Sequence, residues 1–431
     1  MPGHPEPPAV PDAPVVPTEF VTCPGADPHT AAARLRERCP VHPVDFPAGA
    51  ADHAYIVVGH DAVTRAFGDP RISKTLEKAP AWFREQTVSN SSVLTRNMLL
   101  ADPPEHTRLR KLVSRAFLPR RMELLRPQVQ EITDELIDAF PESGEFDLLE
   151  EFALPLPLMV ICAFLGVPYE DRDLFTRWGK VLSQDPSQEG EAARERKRVN
   201  DEVVEYFTGV LARRRAEPRE DLLGDLVRAA DEDGMFTDEE LVSTAIFLVI
   251  AGHKTTANLV GNGVWALLTH PDQLELLRSR PELTDSAIEE FLRYEGSVDR
   301  GTLRTAAEDL TLGGQPIPKG SFVHLSVSAA NRDPAVFPDP DRFDITRSPN
   351  RHLTFGHGPH FCAGAPLARL EGRIAFETLL RRVPRLEPAV PPEKLTWIAD
   401  SSISRGLERL PVRIAGKLPR GVPYGLPGEG R

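Results

Sequence analysis

A single helical span, from Thr237 to His270, sets the scale of whatever this chain builds. It opens on Thr237-Asp238-Glu239-Glu240, a Thr-x-x-Glu box whose two side chains satisfy each other's backbone amides, and it stops at Pro271. Roughly 33 helical residues extend about 50 Å, enough to cross a whole molecule. The middle, Ala245-Ile246-Phe247-Leu248-Val249-Ile250-Ala251, is apolar on every side, so this helix belongs in the interior. Polar residues then break in as Gly252-His253-Lys254-Thr255-Thr256. A glycine beside threonines that bond back to carbonyls predicts a locally opened turn that holds water.

Helical patterns dominate elsewhere too. Apolar residues recur at three- and four-residue spacing near 28–39, 104–117, 121–140, 150–165, 196–215, 284–294 and 366–383. Strand signals are short and few, at 54–59, 310–314, 322–325 and 411–414, bounded by glycine and proline. The fold class expected is mainly α with small β-sheets. At 431 residues the chain has room for two or three domains, yet no linker divides it and no repeat recurs. Residues 1–19, rich in proline, read as a disordered arm without a signal peptide; residues 416–431, rich in glycine and proline, read as a tail.

Composition excludes several classes of function. Hydrophobic residues make up 41% and charged residues 27%, the balance of a globular protein with a large core, and no apolar run is long enough to span a bilayer. A net charge of −13 argues against nucleic acid, because phosphate binding needs a basic face. Four cysteines, Cys23, Cys39, Cys162 and Cys362, are too few for a disulfide framework in this length and suit a reducing, cytoplasmic setting. Cys39-Pro40-Val41-His42 has no second ligand pair at zinc spacing and is not read as a metal site.

Cys362 is different. It lies in Phe355-Gly356-His357-Gly358-Pro359-His360-Phe361-Cys362-Ala363-Gly364, a glycine-rich loop running into a helix that opens on Ala365-Pro366 and docks through Leu367, Leu370 and Ile374. The positive end of that helix and its free amides favour ionised sulfur, so a thiolate is expected. A lone cysteine is more often a small core hydrophobe. This loop, however, resembles the haem-ligand loop of the cytochrome P450 monooxygenases, in which the cysteine is the axial thiolate of the haem iron. Three further motifs follow in that family's order, and the resemblance covers residues 20–415, a single haem-thiolate domain. It implies haem b on Cys362 as metal ligand, with Phe355, Gly356, Gly364 and Ala251 against the cofactor.

The long helix then matches the family's distal helix, where the first threonine lies over the haem and helps deliver protons to iron-bound dioxygen. By position that residue is Thr255, with Lys254 and Thr256 beside it. Lys254 departs from the pattern, since the family usually carries an acid there, and a charged ammonium donates hydrogen bonds without accepting them. Three readings stay open: Lys254 reaches solvent while His253, Thr256 or water carries protons; it binds an acidic group on the substrate; or the enzyme uses peroxide or an atypical oxidation that needs no such relay.

Glu290-Phe291-Leu292-Arg293 sets an acid and a base on one helical face, a pairing that alone is usually a solvated surface contact. With Arg342 in Pro340-Asp341-Arg342-Phe343 it resembles the family's Glu-Arg-Arg lock behind the haem, which holds the segment leading to Cys362. Haem propionates need cations. His106 and Arg110 stand at i, i+4 on one helix side, and with Arg304 and His360 they match the family's propionate contacts. Lys111, Arg115, Arg120 and Arg121 form a basic cluster where the family docks an acidic ferredoxin. The chain has no Rossmann fingerprint and no clustered cysteines, so electrons from NAD(P)H are expected through a ferredoxin and its reductase.

The resemblance thus implies reductive activation of dioxygen at a thiolate-ligated iron, and insertion of oxygen into a C–H bond or alkene of a small apolar or amphipathic molecule. The likeness is to soluble actinomycete enzymes that tailor polyketides, macrolides or peptides, acting as monomers without nucleic acid or membrane. Candidate pocket residues are Phe83, Met98, Leu99, Phe247, Val249, Ile250, Val298 and Ile403, and Ser89-Asn90-Ser91-Ser92 reads as a mobile loop over the entrance. The alternative outside enzymes is a haem-binding sensor or carrier that turns nothing over.

Overall fold

The computed structural model describes residues 16–17, 28–45, 54–81, 83–85, 93–182, 190–233, 236–398 and 403–422. Helices α1 (Pro28–Arg38) and α2 (His60–Gly68) lie beside a sheet; α3 (Glu105–Ala116), α4 (Pro119–Asp138), α5 (Pro155–Leu165), α6 (Arg172–Leu182), α7 (Glu191–Ala216) and α8 (Leu222–Asp233) follow. Next come α9 (Asp238–Thr269), α10 (Pro271–Ser279), α11 (Thr284–Tyr294), the short α12 (Val327–Asn331) and α13 (Ala365–Arg382).

The long span forms α9 as its signals require. Thr237 Oγ1 accepts from the Glu240 amide at 3.3 Å, and the Glu240 carboxylate accepts from the Thr237 amide at 2.8 Å. The expected opened turn is corrected: α9 is continuous through 252–256, and the Thr255 hydroxyl donates to the Ala251 carbonyl at 2.8 Å. That bond leaves the ladder closed. Close approach of neighbouring helices depends on small residues. A Cβ on Gly263 would stand 2.5 Å from Phe376 on α13 and 2.9 Å from Phe291 on α11, and one on Gly252 would stand 3.3 Å from Ile161 on α5. The main core gathers around α9, with α5 apolar on all sides against it.

The β part comprises β1 (Val16–Pro17), β2 (Val41–Asp45), β3 (Ala54–Val57), β4 (Ile72–Ser73), β5 (Ser143–Asp147), β6 (Thr305–Ala306), β7 (Leu310–Leu312), β8 (Gln315–Ile317), β9 (Phe322–Leu325), β10 (Leu386–Pro388) and β11 (Pro411–Ala415). Six strands make a sheet in the order β1-β2-β3-β9-β6-β4; β10-β11-β5 and the hairpin β7-β8 stand apart. Alternation along β9 sends Phe322 to one small core and Val323 and Leu325 to another, so the sheet is covered on both faces.

The structure amends the sequence reading at both ends. Val16–Pro17 of the arm expected to be disordered pairs with Val44–Asp45. The tail is tied down through its first residues: Leu418 exchanges hydrogen bonds with Arg382, and Arg420 pairs with Glu131 and Asp138. The pattern at 150–165 divides into a wide turn, Leu149–Ala153, and α5, because Pro155 suits a first helical turn and not an interior. Cys23, Ser89-Asn90-Ser91-Ser92 and the rest of the arm and tail lie outside the described residues.

Candidate active site

Cys362 stands just ahead of α13. Its amide donates to Phe355 O at 2.8 Å, and Gly356 and Gly358 adopt φ of 72° and 71°, where a side chain is strained. Burial raises the Cys362 thiol above its ordinary value, while the amides of Gly364 and Ala365 and the guanidiniums of Arg110 and Arg369 oppose that rise. Cys362 keeps solvent-accessible surface, and a bound metal cation would favour the ionised sulfur expected from the sequence.

Behind the loop, Glu290 and Arg293 are completely buried and joined by two bonds, Arg293 Nε to Oε2 at 2.7 Å and Nη2 to Oε1 at 2.8 Å. Arg293 also donates to the carbonyls of Asn331, Pro340 and Arg342. The third member of the lock is Arg347, whose Nε lies 3.4 Å from Glu290 and whose other nitrogens hold the carbonyls of Pro338, Asp339 and Arg342. Arg342, expected in that role, contributes its carbonyl while its side chain is 66% exposed beside Asp344. Asn350 donates to Glu290 as well, at 3.1 Å. Glu289, one residue earlier, was missed by the sequence reading; it binds Arg369 and His352, and Arg369 lies over the Phe355 ring at 4.5 Å.

The predicted propionate contacts do come together. The His106 and His360 rings sit 4.0 Å apart, Arg110 donates to Phe361 O, and Arg304 stacks on Phe67 at 5.0 Å. Lys74 joins them from the end of β4, bonded to Thr302, and was not found from the sequence because one lysine after a short strand carries no signal. Burial first, then the neighbouring cations, depress His360 to about 2; burial likewise depresses His106, Lys74 and Arg304, the last to about 10. Asp102 is the carboxylate that offsets them. Among the described residues, His106 Nε2 and Arg304 Nε have no hydrogen-bond partner. The buried ammonium of Lys74 and guanidinium of Arg304, which repel one another, with Arg110 and the two histidines beside them, fit a ligand bearing carboxylates, as the two haem propionates are.

On α9 the open face is a stripe. Phe247, Ile250, Lys254 and Thr255 are half-buried and Ala251 is exposed, whereas Ile246, Leu248, Val249 and Ala257 are buried. These five share one side of a helix with 3.6 residues per turn. Thr256, grouped earlier with Thr255, is buried on the opposite side at 4% exposure, and His253 bonds to Leu154 O at 3.2 Å. Of the pocket candidates, Leu99 and Val298 are half-buried and Ile403 is exposed. Met98 and Val249 are buried in the main core, as part of the cluster that Phe247 and Ile250 also pack against, and Phe83 packs on Phe322 with ring centroids 5.4 Å apart. Asn97, unremarked in the sequence, bonds Ser243 on α9 at 3.2 Å and pins the turn carrying Leu99.

A cysteine loop backed by a buried lock and flanked by an anion cradle defines a haem-thiolate protein. The family model described as Cytochrome P450 matches residues 51–394. The cytochrome P450 monooxygenase PikC of Streptomyces venezuelae is 47% identical over 90% of this chain and 91% of its own length; the vitamin D(3) 25-hydroxylase of Pseudonocardia autotrophica is 45% identical, covering 90% and 93%. Among solved structures, CxnD, a cytochrome P450 enzyme for C–S bond formation in chuangxinmycin biosynthesis, superposes with a TM-score of 0.90 at 57% identity, over 95% of this chain and 99% of that one. The chain belongs to the cytochrome P450 family. It is an oxidoreductase of the monooxygenase class with haem iron as its redox centre, reduced by NAD(P)H through redox partners. Among the described residues no helix is long and apolar enough to cross a membrane.

Proposed function

We propose that this chain is a cytoplasmic, monomeric monooxygenase that hydroxylates or epoxidises a small apolar or amphipathic metabolite, with electrons delivered by a ferredoxin and its reductase. The observation that carries the reading is the open stripe of α9. In the middle of α9, Phe247, Ile250 and Thr255 are half-buried and Ala251 is exposed along one side of the helix, which is the wall an apolar substrate needs. Bound on Cys362, haem supplies dioxygen activation. The chain's own share is to hold that group by its propionates through Lys74, His106, Arg110, Arg304 and His360, to keep the sulfur in place through Glu290, Arg293 and Arg347, and to present the Thr255 hydroxyl on the substrate side. Thr255 already donates to Ala251 O, so it accepts a proton donor while its own proton is held.

Reduced protein exposed to carbon monoxide is expected to show the far-shifted Soret band of thiolate ligation, and Cys362→Ser to abolish it. An unshifted band in the parent protein overturns the reading. Oxygen-dependent product with ferredoxin, reductase and NADPH separates an enzyme from a haem carrier. A second reading, peroxide-driven or otherwise atypical oxidation, is favoured by Lys254 in place of the usual acid; turnover with hydrogen peroxide alone tests it.

A further inference from the structure

From Leu241 to Thr269 the central helix carries one permanently charged side chain, Lys254. Every acid of α9 lies in its first turn, where Glu239 pairs with Arg96 and Glu240 with Arg108. Lys254 falls on the open stripe, one residue before Thr255 and in line with Phe247, Ile250 and Ala251. Among the described residues it has no ion pair and no hydrogen-bond partner. Beside it, His253 is depressed to about 4 by burial first, opposed by its bond to Leu154 O, with the Lys254 charge adding to the depression.

An ammonium on an apolar wall is tolerable while water reaches it. Once a substrate fills the space and expels that water, the desolvated charge is strongly unfavourable unless a counter-ion arrives with the substrate. A polar neutral group leaves most of that cost in place; a carboxylate removes it and fixes one end of the molecule. We propose that Lys254 is a specificity-determining residue that docks a carboxylate of the substrate, so that the enzyme oxidises a small amphipathic carboxylic acid whose apolar body lies along Phe247, Ile250 and Ala251. The inference rests on the haem-thiolate monooxygenase reading and names the substrate class for that same site. Lysine serves this task as a compact point charge on a flexible stem, so the docked acid can pivot over the site while its charge stays fixed.

The test uses the full-length, haem-loaded chain and probes that bind whatever the natural substrate is. ω-(Imidazol-1-yl)alkanoic acids of increasing chain length, each compared with its primary amide, ligate the iron through imidazole and report binding through the Soret shift. At one chain length the acid is expected to bind at least ~10-fold tighter than its amide. Lys254→Met is expected to bring that ratio to about 1 with amide affinity unchanged, and Lys254→Arg to keep it above 1. Equal affinities of acid and amide at every length, or a preference that survives in Lys254→Met, overturn the proposal. Failure of the underlying reading looks different: no azole shifts the Soret band and the reduced protein lacks the carbon monoxide signature. That same carbon monoxide signature, intact in both variants, certifies their fold.

Discussion

The space around Cys362 has two sides that treat polar groups in opposite ways. Behind the sulfur, Glu290, Arg293, Arg347 and Asn350 are bonded to one another and to loop carbonyls, with the acid and Arg293 completely buried. On the open stripe of α9, and among the described residues, Lys254 has no counter-ion and Thr255 bonds only to its own helix. The lock is held by bonds within the protein, although Asn350 Oδ1 lacks a partner among the described residues, while the stripe turns its polar groups toward open space. The anion cradle is also short of partners, with the nitrogens of His106 and Arg304 unpartnered among the described residues.

The harshest way to break this comparison is to remove the acid of the satisfied side. Glu290→Ala strands the guanidiniums of Arg293 and Arg347 in the interior, at a cost of about 3–5 kcal/mol. The expected result is little soluble protein and almost no haem absorbance per chain. Arg342→Ala, by contrast, removes an exposed side chain and is expected to change stability by less than about 0.5 kcal/mol. Denaturant unfolding of both variants checks the pair; a stable, haem-loaded Glu290→Ala would remove the lock from the argument.

One acid on the satisfied side is itself unsatisfied. Glu371 on α13 is 2% exposed, its Oε2 has no hydrogen-bond partner, and burial pushes it up from 4.5 to about 8. The folded chain therefore keeps a proton that the unfolded chain releases. The stability this proton confers is whole below about pH 4.5 and is lost as pH rises through about 8, at no more than ~1.4 kcal/mol per pH unit. Glu371→Gln is expected to flatten that decline between pH 5 and pH 8, measured by denaturant unfolding at each pH. An identical slope in the variant would show that another group holds the proton.

Much of this was legible in the sequence, for reasons that differ by element. Helices with long apolar stripes declared themselves, and the capping box placed the start of α9 to the residue. The shorter helices α2, α6, α8 and α10 went unread because two or three turns offer few repeats of the period. Strand β5 was hidden too: Ser143-Gly144-Glu145-Phe146-Asp147 is mostly exposed and becomes a strand only by pairing with β11. At the site, motif residues fixed by the local chain, such as Cys362, Glu290 and Arg293, stand as expected. Arg347 was lost to Arg342 because both follow Asp339 within one irregular segment, and only the three-dimensional path decides which guanidinium turns inward. Lys74 came from a distant strand with no motif of its own.

On the open stripe the contrast sharpens between two neighbours. Thr255→Ala is expected to lower product formed per NADPH consumed several-fold while leaving haem content and the carbon monoxide band intact, because its hydroxyl bonds to Ala251 O of its own helix and, among the described residues, ties down no other element. Thr256→Ala empties a buried position and is expected to cost about 1 kcal/mol with coupling unchanged. Uncoupling by Thr256→Ala in place of Thr255→Ala would reverse the assignment of faces along α9.

The smallest effects belong to the exposed cations that follow the cradle. Of the four read as a docking cluster, Arg121 already pairs with Asp225, whereas Lys111, Arg115 and Arg120 are exposed and have no ion pair among the described residues. A charge with a partner in its own chain adds little to the outward field. Arg115→Glu and Arg120→Glu are therefore expected to slow ferredoxin-supported reduction a few-fold at low salt, with the difference from the parent shrinking as ionic strength shortens the Debye length toward about 8 Å. Arg121→Glu sets a carboxylate beside Asp225, which keeps its pair with Arg228, and is expected to cost some stability, with less change in the salt dependence of reduction. Stopped-flow reduction across a salt series reads both quantities together. If Arg121→Glu proved the most damaging to the rate, the field would have to arise from paired charges, and the distinction between paired and unpaired groups would not extend to the surface.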